Sequence, residues 1–84
     1  MPYFTCIFSC KDTDEPFVDT THDIRAKLRE LRAQSMHKLL YYEHFTDASK
    51  AIDRHRQLIG EAQDTLTDFV RQCNPEMEDL AQLL

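Results

Sequence analysis

Glycine occurs once in these 84 residues, tryptophan not at all, and proline three times. That scarcity leaves no glycine-rich phosphate loop, no flexible linker and no low-complexity segment. No apolar run approaches the ~20 residues needed to span a bilayer. The apolar N-terminus MPYFTCIFSC has no basic region of the kind that opens a secretory signal. A cytoplasmic location without membrane contact is therefore expected. Cysteines number three, at Cys6, Cys10 and Cys73, an odd count that points to free thiols. The spacing Cys6-x3-Cys10 is not the two-residue zinc spacing and no His pair follows it, so no metal site is expected. Cys6 and Cys73 read as small buried hydrophobes.

An excess of positive charge is also absent, the net charge being −5. From His22 to Lys38, five bases (Arg25, Lys27, Arg29, Arg32, Lys38) stand against Asp23 and Glu30, a local net of +3. From Glu61 to Leu84, six acids stand against Arg71, a local net of −5. A protein gripping a phosphate backbone usually carries a net basic balance. The five bases are thus weak nucleic-acid-binding candidates, and the solvated face of a helix explains them equally well.

What is present suits one small globular domain covering residues 1–84: 42% apolar, 30% charged, eight aromatics. Tyr3 to Ser9 is a nearly continuous apolar and β-branched run, expected as a central strand buried on both faces. Lys11 to Pro16 reads as a polar turn and Phe17-Val18 as a short second strand, making a hairpin. Asp19, Thr20 and Thr21 are all N-cap types. A helix follows, with Ile24, Leu28 and Leu31 on one face. Leu39 to Phe45 reads as a strand of about five residues, on which one of Tyr41 and Tyr42 packs inward and the other faces out or toward a partner.

Thr46 or Asp47 caps the next helix, whose stripe is Ala48, Ala51, Ile52, His55, Leu58 and Ile59, with Gly60 as its stop. Ala62, Leu66, Phe69, Val70 and Cys73 give the apolar face of another helix. Asn74-Pro75-Glu76 reads as N-cap, first-turn proline and first-turn acid of a short terminal helix, from which Met77, Leu80 and Leu84 face inward. The expected fold is α+β: a three-stranded sheet with flanking helices in the order β-β-α-β-α-α, plus a short C-terminal helix. His22, His37 and His44 are expected on the surface.

These residues carry a resemblance. The stretch YYEHFTDASKAIDRHRQLIG, followed by FVRQCNPEMEDL, is similar to the small stand-alone GIY-YIG nuclease domains related to the excinuclease C-subunit. Members carry YxExFxDxxxAxxRExQxKxW, then a helix, then NPxxxDL. Tyr42, Phe45, Asp47, Ala51, Arg54, Gln57, Asn74, Pro75, Asp79 and Leu80 fall in register. PFVDTTHDIRAKL lies where the family has YIGxTxDLxxR, and YFTCIF where it has the strand bearing the GIY element.

The resemblance implies metal-assisted phosphodiester hydrolysis by a Tyr from each of two strands, an Arg, and a metal-holding Glu. Carried across by position, the first Tyr falls on Thr5 and the second on Phe17, which has no hydroxyl. The Gly after the second Tyr falls on Asp19. The Arg falls on Lys27, which lacks the planar fork, and the Glu on His55, a poor ligand for Mg²⁺. Asn74 is retained. If the resemblance holds, Thr5, Phe17, Lys27 and His55 should line one concavity on one side of the sheet. The longer basic loop that members carry before the third strand is cut back here to Arg32–Lys38.

Three functions follow. The favoured one is a catalytically degenerate GIY-YIG-like domain that binds a protein partner, with no cofactor and only weak nucleic-acid binding. The second is a DNA endonuclease with an altered site using Mg²⁺ or Mn²⁺. The third is a small acidic inhibitor of a nucleic-acid-binding protein. A monomer and a homodimer, the latter through an edge strand, are both compatible with the sequence.

Overall fold

The computed structural model describes residues 2–10, 15–35 and 37–83. Most of the turn expected over Lys11–Pro16, and Leu84, lie outside the described residues. The order is β1 (Tyr3–Cys10), β2 (Pro16–Thr21), α1 (Ile24–Arg32), β3 (His37–Phe45), α2 (Ala48–Ile59), α3 (Gln63–Cys73) and a 3-10 turn (Leu80–Leu83). The class is α+β, and the sheet is antiparallel with strand order β2-β1-β3.

β1 takes the centre because both of its faces are apolar. Phe4, Cys6 and Phe8 join Ile24 and Leu28 of α1 in one core layer, with Leu39, Phe17, Tyr42 and Leu80. On the other face Ile7 meets Leu58 of α2 and Leu66 and Val70 of α3. Ile7 and Phe8 are fully buried, each contributing about 1.5–3 kcal/mol by its removal from water. α1 thus covers one face of the sheet, while α2 and α3 cover the other. Among the described residues no helix is long and apolar enough to cross a membrane.

Several local expectations are corrected. β2 continues through Asp19, Thr20 and Thr21, so these are strand residues, and Asp23 caps α1 by accepting from Ala26 N–H at 3.1 Å. β3 is nine residues long rather than about five. A bulge leaves Leu40 without a partner, since Ile7 pairs with Tyr41 and Phe8 with Leu39. Leu40 and Tyr41 consequently share the α2–α3 face, while Tyr42 packs in the α1 layer. Neither tyrosine faces out, because helices cover both sides of the sheet.

Asp47 caps α2, accepting from Ser49 N–H at 2.9 Å. Gly60 ends α2 as expected, though in a right-handed conformation. The α2 stripe is narrower than its sequence pattern: Ala51 and Leu58 are buried, but Ile52 is 45% and Ile59 58% exposed. Cys73 is exposed, and His37 is buried with its ring edge-on to Phe17. His22 and His44 lie on the surface.

The terminal segment departs most. No helix starts at Asn74, which instead follows the last turn of α3. The chain then turns through Met77, a non-glycine residue with φ of 52°, before the 3-10 turn begins at Leu80. Asn74 finds better partners across the sheet edge than a helix start would provide.

Candidate functional site

Strand alternation decides which of the candidate positions can meet. Thr5 faces α2, is fully buried, and donates from Oγ1 to the Ala51 carbonyl at 2.7 Å. Its pairing partner on β2 is Thr20, whose Oγ1 lies 2.8 Å from Nδ1 of His55. Phe17 belongs to the opposite layer, 5.8 Å from the ring of Phe8. Asp19 pairs across β1 with Cys6, and its carboxylate bridges to Lys27 Nζ at 2.9 Å.

The four positions expected in one concavity therefore divide: Thr5 and His55 on one side of the sheet, Phe17 and Lys27 on the other. The carry-over of the first tyrosine to Thr5 is corrected by the register. The β1 residue that shares the Phe17, Asp19 and Lys27 face is Cys6, one position further on. A slip of a single residue moves a strand side chain to the other face.

Electrostatics keeps these groups occupied internally. Burial, assisted by the Asp19 carboxylate, pushes the Cys6 thiol up to about 12, so it stays protonated at neutral pH and is a poor nucleophile. The hydrogen bond that Lys27 donates to Asp19 holds its ammonium above its ordinary value. Asp19 also accepts from Thr20 N–H at 2.8 Å. A hard divalent cation does not suit the surroundings of His55, because Nδ1 is engaged with Thr20 and a hydroxyl and an imidazole make a weak donor set for such an ion. Among the described residues, no three His, Cys, Asp or Glu side chains are placed to hold a metal ion.

The five basic candidates separate likewise. Arg32 bonds Asp79 at 2.6 Å and the His37 carbonyl at 3.3 Å. Lys38 reaches the Met77 carbonyl at 3.4 Å, and Lys27 is held by Asp19. Arg25 and Arg29 are exposed, beside a shallow groove floored by Leu28 and Ala81.

Sequence reasoning missed a polar cluster on β3 and α2. Tyr41 Oη donates to Glu43 Oε1 at 2.8 Å, and Arg54 Nε donates to Glu43 Oε2 at 2.8 Å. The guanidinium of Arg54 also sits 5.5 Å over the Phe69 ring. Burial, then the bond to Glu43, pushes the Tyr41 phenol up to about 12. The available signal was an acid and a base both in the matched motif, one on a strand and one on the helix that follows it. Asn74 is buried and joins β3 to the terminal segment by three hydrogen bonds. No family model, curated protein or solved structure matches this chain.

Proposed function

We propose that this chain is a GIY-YIG-like domain that has given up phosphodiester cleavage and serves as a binding module for a protein partner in the cytoplasm. One observation carries the reading. Thr5, on which the first tyrosine falls, and Cys6, the β1 residue on the Phe17 face, are both completely buried. Neither can meet a water molecule or a phosphodiester, and a catalytic base must come within hydrogen-bond reach of the proton it takes. The partner groups of the proposed ancestral site are spent on each other, Lys27 on Asp19 and His55 on Thr20.

The resemblance itself rests on residues with structural duties. Asp47 caps α2, Arg54 pairs with Glu43, and Asn74 and Asp79 tie down β3. Such residues persist when a scaffold is kept and its chemistry is lost.

The test is incubation of the purified chain with branched, nicked and flap DNA in Mg²⁺ or Mn²⁺. No cleavage above background is expected. Metal-dependent cleavage that His55→Ala removes would overturn the reading in favour of an altered nuclease. A capture experiment run beside it, across a range of salt, identifies the partner. Steep salt dependence with a basic partner would favour the acidic-inhibitor reading instead.

A further inference from the structure

We propose that residues 74–83 form a strap that occupies the outer hydrogen-bonding edge of β3 at Leu39 and Leu40 and so prevents edge-to-edge pairing with a second copy of this chain. β3 is an edge strand of nine residues, and such an edge is a template for another strand unless it is covered. The strap meets the groups a fourth strand would use. Asp79 Oδ1 accepts the Leu39 backbone N–H at 3.1 Å, and Asn74 Nδ2 donates to the Leu40 carbonyl at 3.1 Å. Both contacts fall at the bulge, where the ladder to β1 is interrupted.

The strap is latched from both sides. Asp79 also takes the Arg32 guanidinium and the Ala81 N–H. The Asn74 amide closes a ring with both backbone groups of Glu78, at 2.8 and 3.1 Å. Lys38 holds the Met77 carbonyl, and Leu80 and Ala81 pack on the α1 layer. The left-handed backbone at Met77 is unfavourable for a residue with a side chain. Side-chain latches, rather than regular helix, therefore keep the strap in place.

The second copy follows from the contrast with the other edge. β2 is blunted by its own neighbours: Pro16 has no N–H, its carbonyl accepts from Gln63 Nε2 at 3.0 Å, and Asp19 covers the Thr20 N–H. Releasing the strap frees the Leu39 and Leu40 groups of β3, while these β2 groups stay engaged. A single self-complementary edge closes as a two-fold antiparallel β3–β3 pair rather than extending into a filament.

The experiment uses the full chain with Asn74→Ala and Asp79→Ala, singly and together. Mass is read by light scattering over a range of concentration, and amide exchange is read at Leu39. Wild type is expected to stay at the mass of one chain. The double variant should rise towards two chains, with a Leu39 amide that exchanges fast in dilute solution and slows as the dimer fills. Should the double variant lose its fold, the pair Arg32→Ala and Lys38→Ala removes two tethers without emptying the Asn74 site, and the same rise is expected at higher concentration. A folded variant with a fast Leu39 amide that remains one chain throughout overturns the proposal. So does association that leaves that amide fast, or a wild-type chain already paired through β3.

Discussion

Arg54 and Glu43 meet at 2.8 Å across the gap between α2 and β3, with the guanidinium stacked 5.5 Å over Phe69. The pair is half-exposed, so its Coulomb energy is screened and modest. The ring contact adds to it. Arg54→Ala should cost about 1–2 kcal/mol, and a double-mutant cycle with Glu43→Gln should return a coupling of about 0.5–1 kcal/mol in denaturant unfolding. Arg54→Lys should recover only part of the loss, because an ammonium does not lie flat on the ring.

Ser9 on β1 is fully buried, and its hydroxyl has no hydrogen-bond partner among the described residues. An unsatisfied buried hydroxyl carries a desolvation cost of about 1–3 kcal/mol. Ser9→Ala removes the cost with almost no change in volume. It should leave stability unchanged or raise it by about 1 kcal/mol, seen as a higher denaturant midpoint with the same slope. A clear loss of stability would mean that the hydroxyl is satisfied in solution.

Asp47 caps α2 through its bonds to Ser49, and those bonds hold its carboxyl below the ordinary aspartate value. A carboxyl lowered on folding contributes stability that is complete above the unfolded pKa of about 4 and lost as pH falls through the folded value. Asp47→Asn keeps a capping oxygen but does not titrate. Thermal melts should show wild type losing more stability than Asp47→Asn below pH ~4, with the two curves running parallel above that range.

Cys6 and Cys73 should separate by reactivity. Cys73 is exposed on the last turn of α3, whereas Cys6 is fully buried with its thiol near 12. Alkylation of the native chain near neutral pH, mapped by peptide mass, should label Cys73 and spare Cys6 until denaturant is added. Labelling of Cys6 in the native chain at a rate like that of Cys73 would contradict the packing of β1.

The sheet and its helices were legible because their signals are local and periodic. The apolar run of β1 announced a central strand, and Asp47 and Gly60 bracketed α2 where expected. The bulge at Leu40 was not legible. Nothing in Leu39-Leu40-Tyr41-Tyr42 distinguishes regular alternation from one skipped beat, since every residue in the run can be buried. The turn after Asn74 was misread for a related reason. Asn-Pro-Glu is a good local helix start, but the Leu40 carbonyl, 34 residues away in sequence, competes for the same amide.

The candidate site failed at its register. Thr5 and Cys6 differ by one position in sequence and by the whole thickness of the sheet in space. A motif match that is weak over β1 cannot resolve that difference, whereas pairing with Thr20 and Asp19 does so at once.

The unpaired Leu40 gives β3 a spare residue. Removing one residue from β1 would turn every side chain beyond the gap to the wrong layer. Removing Leu40 would leave Leu39 opposite Phe8 and Tyr41 opposite Ile7, as they already stand. The third strand can therefore keep its register through a change in length that the central strand cannot, at the loss of one fully buried core side chain. The same deletion would take away the carbonyl to which Asn74 is moored.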